Sequence, residues 1–499
     1  MRKFLSVFLT LLMVFSLVAC SSSGAADSTT EATEATEVTE VTTTTAAAEG
    51  NTELMGLHVG FNRQSITPTE LGVPIAGGDS SARPSEGFLD EVATTCIALS
   101  MDGEIYLVYT CDFMILYKAV IDPVKAAINT ATGVPTANII FNCTHTHSGV
   151  DINSSKWDGV SAYREFFSEK CVKAAEKAIK DLAPATISYG STMAENMSFV
   201  RHYRMNDGTT YGNGHGSSAS GIKEHMYPAD VELQIIQFNR EGEKDIMLAS
   251  FPSHATTTNG TNSKSISACY PGAFRTAVEE TAGIHCAFFQ GASGDQIPTS
   301  KIKGLPATNN DRNAQGKMLA EYALGVELTP MDDSNIVLKS WEYTGNSMKE
   351  GTDDPDKMAK AAEIAALVGQ KGSSDPAVGE LCAKYGFYNV YEATGLRSRS
   401  SSPETRTMTL LAMQLGSEVS MVFAPYEMFG MHGKYIKDNS PFAMDFIVTC
   451  SEDYQGYFPH VEGCEESFYE YDVTKYERGT GEKLAEIFAN TLAEMKNAG

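Results

Sequence analysis

The sequence predicts an α/β fold in which strands and helices build one large layered catalytic domain with a helical insertion. Short apolar runs with the length of buried strands recur at residues 105–109, 139–142, 231–238, 246–251, 285–290, 419–424 and 446–450. Segments with helical periodicity lie between several of them, at 163–182, 274–282 and 312–324. Strands that alternate with helices in this way are typical of a layered α/β architecture.

The stretch from about residue 345 to residue 402 breaks the alternation. It is rich in charged residues and has helical pieces near 355–368 and 377–384. We interpret it as an insertion over one edge of the domain, and a lid is one role that such a segment can have.

The first residues have the pattern of a secretory signal. Arg2 and Lys3 precede an apolar run over residues 4–19, which is too short to span a membrane as a helix. The run ends in Leu-Val-Ala before Cys20, which resembles the lipobox of bacterial lipoproteins. We therefore expect a signal peptide over 1–19 and an extracytoplasmic lipoprotein that a lipid on Cys20 anchors to the cell membrane. An ordinary signal peptide with a chance cysteine is the alternative.

Residues 20–54 differ in composition from the rest of the chain. After Cys20 they are mainly Ser, Thr, Ala and Glu, with no aromatic residue, lysine or arginine. Such a segment cannot bury enough apolar surface to offset the entropy lost on ordering, so we expect a disordered tether. The composition is globular over residues 55–499, where we place the single catalytic domain.

The net charge and the cysteines narrow the possible functions. A formal net charge of −25 argues against nucleic-acid binding, which needs a basic surface. Of the ten cysteines, nine follow Cys20 and most lie within apolar runs, so we expect small buried hydrophobic residues. A disulfide between Cys450 and Cys464 is the alternative for that pair.

Residues that can bind a metal or transfer a proton follow several predicted strands. They are the His-x-His pair His145 and His147, then His254, Glu427 and Tyr457. Ligand sites in α/β sheets form beyond the carboxyl ends of strands. Alternate side chains of an extended segment point the same way, so both residues of the His-x-His pair can enter one pocket. A pair of polar loop residues is the other interpretation.

Several short motifs occur together in an order and spacing that one enzyme family shares. They are Gly60 with Ile66-Thr67-Pro68, the segment Thr144-His145-Thr146-His147-Ser148-Gly149, Arg201, His254, the segment Ser267-Ala268-Cys269-Tyr270-Pro271-Gly272, Pro425-Tyr426-Glu427, Gly456-Tyr457 and Tyr469-Glu470. On these residues the chain from about Leu57 onward resembles the catalytic domain of the neutral/alkaline non-lysosomal ceramidase family.

The resemblance implies a metal site and a reaction. It implies one zinc ion per chain with four ligands: His145, His254, Glu427 and Tyr457. It assigns catalytic roles to three more residues: His147, Arg201 and Tyr469. The reaction would be cleavage of an N-acyl amide, in ceramide or a related lipid, by a metal-activated water. His147 would shuttle a proton, and the other two residues would orient the substrate or stabilise the oxyanion.

The chain departs from the family in two places near site residues, and Val200 stands where the family has an asparagine before Arg201. The ceramidases have Gly-Asp-x-Ser-Pro, whereas residues 294–298 place Ile297 at the serine position. Isoleucine cannot donate a hydrogen bond, so the motif does not specify which substrate is bound. The alternatives are a metallohydrolase of the same fold that acts on another ester or amide, and a non-catalytic surface lipoprotein that binds a ligand. Because the chain ends soon after Tyr457, we expect no C-terminal immunoglobulin-like domain.

Overall fold

The structure is a computed structural model that describes residues 54–77, 83–154, 157–212, 220–258, 262–302, 305, 311–461 and 468–498. The predicted signal peptide, Cys20, the tether up to residue 53 and Cys464 lie outside these residues.

The described strands follow one another in chain order. They are β1 (Leu57–Ser65), β2 (Gly87–Phe88), β3 (Ala93–Met101), β4 (Glu104–Cys111), β5 (Ile139–Cys143), β6 (Ala183–Met193), β7 (Phe199–Val200), β8 (Tyr203–Met205), β9 (Thr210–Tyr211), β10 (Ile222–His225), β11 (Glu232–Arg240), β12 (Ile246–Phe251), β13 (Ser265–Ile266), β14 (His285–Gln290), β15 (Gln296–Ile297), β16 (Thr329–Pro330), β17 (Ile336–Asn346), β18 (Thr405–Leu415), β19 (Val419–Phe423), β20 (Glu427–Met428), β21 (Met444–Val448) and β22 (Tyr457–Phe458).

The described helices alternate with these strands. They are α1 (Lys118–Thr132), α2 (Val160–Lys180), α3 (Cys269–Ala282), α4 (Arg312–Leu324), α5 (Pro355–Lys371), α6 (Pro376–Tyr385), α7 (Val390–Ser400), α8 (Gly430–Asn439), α9 (Tyr469–Asp472) and α10 (Thr480–Ala498). The predicted α/β class is therefore confirmed.

Two mixed sheets form the centre of the described fold. The larger has the order β14-β12-β11-β6-β1-β3-β4-β5, with β16 paired to β6, and the smaller has the order β17-β18-β19-β21. Most neighbouring strands are antiparallel, but β5 pairs parallel with β4, β14 with β12 and β21 with β19. The segments that follow β5, β12, β19 and β21 carry the proposed ligands of the site described below.

The two sheets pack face to face, and helices cover their outer faces. Side chains from both sheets share one core, in which the Phe289 and Phe446 rings meet edge to face at 5.6 Å. Helices α1 to α4 pack on the outer face of the larger sheet, and α8 and α10 on that of the smaller sheet. Strand β3 alternates between these layers, since Ile97 faces the shared core and Cys96 faces the helices. Burial on both faces explains why the strands appear in the sequence as continuous apolar runs.

Helices α5, α6 and α7 interrupt a strand pair. Strand β17 precedes them and β18 follows them, and these two strands are antiparallel neighbours along their full length. The sequence pattern predicts α5 and α6 but not α7. The inserted helices contact α9 closely, because a Cβ added at Gly395 would lie 2.0 Å from the Asp472 carbonyl oxygen. Arg399 Nη2 also donates to the Tyr471 carbonyl oxygen at 2.9 Å. The insertion therefore supports the segment that carries Tyr469.

The cysteines that the structure describes are buried thiols, as predicted. They are Cys96, Cys111, Cys143, Cys171, Cys269, Cys286, Cys382 and Cys450, and each is free. Within the described part of the chain, the helices are all too short or too polar to cross a bilayer.

Candidate metal centre

Three histidines lie together where the loops after β5 and β12 meet. His145, His147 and His254 each present a ring nitrogen, and these atoms lie within 4.8 Å of one another. His145 has a φ of 58°, in the left-handed region that few residues other than glycine adopt. Such conformations concentrate at functional sites, where the surrounding structure offsets their energy. The group has the composition of a metal site.

Glu427 adds a carboxylate to this group. Its Oε2 lies 3.3 Å from His145 Nε2 and 3.1 Å from His254 Nε2. Ligand atoms about 2.0–2.1 Å from a tetrahedral zinc ion are about 3.3 Å apart, so these separations suit one shared ion. The buried atoms His254 Nε2 and Glu427 Oε2 also have no hydrogen-bond partner among the described residues. Buried polar atoms without a partner are costly, and a cation between them would satisfy both.

Backbone carbonyls orient the two buried imidazoles. His145 Nδ1 is 2.8 Å from the Met114 carbonyl oxygen, and His254 Nδ1 is 2.7 Å from that of Ser293 and 3.0 Å from that of Gln296. A carbonyl oxygen only accepts, so each Nδ1 carries a proton and each Nε2 faces the centre, where it can bind a cation. Zinc-binding histidines have this arrangement of second contacts.

The charges of the group favour a cation. Burial opposes a charge on His145, but the nearby Glu427 carboxylate raises the pKa of His145 well above its usual value. Burial likewise opposes a charge on Glu427, while His145 holds the pKa of Glu427 well below its usual range. The carboxylate is therefore an anion in a closed site, where a metal ion can replace the proton of the imidazole.

The position of His147 is compatible with two roles, that of a metal ligand and that of a proton carrier. Its Nε2 lies 3.3 Å from His145 Nε2, the same distance as Glu427 Oε2. Its side chain is partly exposed, whereas His145 and His254 are buried. Burial and the charges of His145 and His254 hold the pKa of His147 well below the usual value, so its imidazole is neutral. The geometry suits both roles, coordination and proton transfer.

The other three predicted residues are Tyr457, beside Glu427, and two residues that contact the Tyr457 ring. Tyr457 is its direct neighbour in the parallel pair of β20 and β22. The Arg201 guanidinium carbon is 5.6 Å from the centre of the Tyr457 ring, and the Tyr469 ring meets that ring edge to face at 5.6 Å. Burial and then Glu427 raise the pKa of Tyr457, while Arg201 lowers it. The structure therefore brings every sequence-predicted site residue into one group.

Three further side chains contact the residues of the site, and the sequence does not predict these contacts. The Tyr454 hydroxyl donates to Glu427 Oε1 at 2.6 Å, and Cys450 Sγ lies 3.6 Å from His145 Nδ1. Glu470 pairs with Arg201 at 2.6 Å. Tyr454 and Cys450 have only a positional signal, since they precede Tyr457, whereas Glu470 belongs to the Tyr469-Glu470 motif.

Ile297 is adjacent to Gln296, whose carbonyl oxygen orients His254. The Gln296 carbonyl oxygen accepts from the His254 backbone N–H at 3.0 Å as well as from its ring. In the strand pair β15 and β7, Ile297 is opposite Phe199, and its side chain is partly exposed. The segment that departs from the ceramidase motif is therefore part of the site.

Comparison with solved structures identifies the fold. The neutral ceramidase from Pseudomonas aeruginosa matches with a TM-score of 0.65 and 16% sequence identity, over 89% of this chain and 75% of that one. A ceramidase complexed with C2 matches with a TM-score of 0.63 and 15% identity, over 89% of this chain and 76% of that one. No protein-family model and no curated protein sequence matches the chain. The chain therefore has the neutral ceramidase fold, as its motifs predicted.

Proposed function

We propose that this protein is a zinc-dependent hydrolase that cleaves the N-acyl amide bond of ceramide or a related lipid. The position of Glu427 Oε2, within 3.3 Å of His145 Nε2 and 3.1 Å of His254 Nε2, carries the proposal. Two imidazoles and a carboxylate, with a position left for water, are typical of hydrolytic zinc sites. The likeness in fold to two ceramidases supports the choice of reaction.

Four residues would hold the ion: His145, His254, Glu427 and Tyr457. Zinc bound there supplies a Lewis acid for the amide carbonyl and a water molecule of lowered pKa. Glu427 provides one negative charge. Tyr457 can provide a second as a phenolate, because a bound cation offsets the burial that keeps its hydroxyl protonated.

The neighbouring residues would move the proton and orient the substrate. His147 is neutral and partly exposed, so it can accept a proton from the attacking water and return it to the leaving amine. Arg201 and Tyr469 lie on the Tyr457 side of the site, where their donors can bind the acyl oxygen as negative charge develops on it.

A second candidate is hydrolysis of another ester or amide by the same residues. It is favoured by Ile297, because the segment that contains this residue also contacts His254. The serine hydroxyl of the ceramidase motif, a hydrogen-bond donor, is missing at that position.

We also propose that the enzyme is a membrane-anchored extracytoplasmic lipoprotein. Removal of residues 1–19 and lipid attachment to Cys20 would leave the tether between the membrane and the catalytic domain. This proposal rests on the sequence pattern at the N-terminus.

Metal analysis of the purified protein, followed by a screen of N-acyl amides and esters of varied acyl length, tests the proposed function. We expect one zinc ion per chain and turnover of at least one acyl amide. A fully zinc-loaded protein that hydrolyses none of these substrates would contradict the proposal and favour a ligand-binding lipoprotein.

A further inference from the structure

A fully buried carboxylate, Glu470, contacts two consecutive residues of the chain. Its Oε1 forms an ion pair with Arg201 Nε at 2.6 Å, and its Oε2 is hydrogen-bonded to His202 Nε2 at 3.0 Å. The relative exposure of Glu470 is 0%, and that of Arg201 is 9%. A buried arginine needs a counter-charge, and Glu470 supplies it.

The guanidinium of Arg201 is held at more than one atom. Its Nη2 donates to the Gly294 carbonyl oxygen at 2.7 Å, while Nε faces Glu470. The Arg201 backbone N–H donates to the Asp295 carbonyl oxygen at 2.9 Å. Because the guanidinium is planar, contacts at both Nε and Nη2 fix the plane and its rotation. The fixed plane lies beside Tyr457, a proposed zinc ligand.

His202, the second partner of Glu470, is also fixed. Its ring stacks on Phe468 with centroids 4.2 Å apart and an interplanar angle of 6°. Its Nδ1 lies 3.1 Å from the Tyr227 hydroxyl. The carboxylate is therefore held between a fixed imidazole and the guanidinium.

Asp295 connects Arg201 to the start of α8. Its Oδ1 accepts from the Gly430 backbone N–H at 2.8 Å. Its carbonyl oxygen accepts from the Arg201 backbone N–H. Burial opposes ionisation of Glu470, but Arg201 and His202 lower its pKa to about 2, so the carboxylate is charged at neutral pH.

We propose that Glu470 is a positioning residue. Through its contacts with Arg201 and His202, it holds the Arg201 guanidinium beside Tyr457, in the orientation that binds the acyl oxygen of the substrate. This inference rests on the proposed hydrolase function. The effect of Glu470 on the rate would pass through its ion pair with Arg201.

A double-mutant cycle tests this role. In Glu470→Gln, one of the two carboxylate oxygens that face Arg201 and His202 becomes an NH₂ group, so only one acceptor atom remains for the two donors. We expect Glu470→Gln to lower kcat by about tenfold to a hundredfold, with zinc content and KM nearly unchanged. In the Arg201→Ala background, the same substitution should have no further effect. Glu470→Asp, which keeps the charge, should recover part of the rate.

A buried carboxyl far from the site provides the control. Asp445 lies near the start of β21 and accepts from Ser420 at 2.5 Å and Ser440 at 2.7 Å. Asp445→Asn should change kcat by less than the substitution at Glu470. Equal losses from Glu470→Gln with and without Arg201, or no loss at all, would overturn the positioning role.

The failure of the proposed function is distinguishable from the failure of this inference. If the wild-type protein hydrolyses no substrate, the proposed function fails, and a crystal structure of Glu470→Ala decides the positioning role. An Arg201 guanidinium that has left the Gly294 carbonyl oxygen supports it, and an unmoved guanidinium overturns it. If Glu470→Ala does not fold, Glu470→Gln serves for the same comparison.

Discussion

Glu427 and Tyr457 are direct neighbours in a parallel pair of two-residue strands, β20 and β22. The Glu427 backbone N–H donates to the Gly456 carbonyl oxygen at 2.9 Å, so the backbone fixes the separation of the two residues. One rigid element therefore presents both oxygen ligands of the proposed zinc site. The imidazoles come from loops after β5 and β12, and the site exists only where these elements meet.

Removal of a proposed ligand should remove the metal. We expect His145→Ala, His254→Ala and Glu427→Ala each to reduce bound zinc from one ion per chain to near zero and to abolish turnover, because the three remaining ligands bind the ion more weakly. Metal analysis after dialysis checks this. His285→Ala, at the start of β14, is the control and should retain zinc. Stoichiometric zinc in all three ligand variants would refute the assignment.

His147→Ala separates the two roles that the geometry permits. As a proton carrier, His147 is needed for the rate and not for the metal, so we expect full zinc content and a rate lowered by about a hundredfold or more. Parallel measurement of zinc and of single-turnover rates checks this. Loss of zinc would make His147 a ligand, and an unchanged rate with full zinc would remove it from the mechanism.

The sequence predicts which residues form the site, but it does not predict most of the contacts between them. His254 and Glu427 follow strands, and their motifs resemble a known family, so both were identifiable. The link from His202 to Glu470 spans 268 positions and has no local signal. Two-residue strands such as β20 are too short for a periodic pattern. Helix α7 contains Gly395 and other weak helix formers, although its N-cap Asn389, which accepts from Tyr391 and Glu392, was a usable signal.

Asp472, at the end of α9, should make stability depend on pH. Burial and then Glu392 raise the pKa of Asp472 to about 7, above the value of about 3.9 in an unfolded chain. Between these values the folded state keeps a proton that the unfolded state has lost, so the free energy of unfolding decreases as pH rises. Asp472→Asn should therefore stabilise the protein by roughly 1–3 kcal/mol at pH 8 and little at pH 4.

Urea unfolding at both pH values measures this difference. Asp438→Asn on α8 is the control, because its carboxylate is exposed and pairs with Lys434. We expect a small change for the control at either pH. An equal gain for Asp472→Asn at pH 4 and pH 8 would show that packing, rather than ionisation, causes it.

Anchoring should depend on Cys20. Cys20→Ala removes the thiol that the lipid would modify, so we expect the protein to move from the membrane fraction to the soluble fraction of the host. Cell fractionation with labelled fatty acid checks this. Cys382→Ala, which removes a thiol of the insertion, is the control and should stay in the membrane fraction. A wild-type protein that is wholly soluble would refute the lipobox interpretation.

Ile297 should decide which acyl amide is cleaved. This residue follows Gln296, which contacts His254, and its partly exposed side chain stands where the ceramidases have a serine. A missing hydrogen bond to a buried polar group costs about 1–3 kcal/mol, which is roughly tenfold to a hundredfold in rate. We therefore expect weak ceramide hydrolysis by the wild type, efficient cleavage of another acyl amide or ester, and improved ceramide hydrolysis by Ile297→Ser.

Comparison of kcat/KM for the two substrates measures the change, with Ile179→Ser on α2 as a control for loss of an apolar side chain. Efficient ceramide hydrolysis by the wild type that Ile297→Ser leaves unchanged would show that this position does not set specificity, because the remaining residues would then bind the head group unaided.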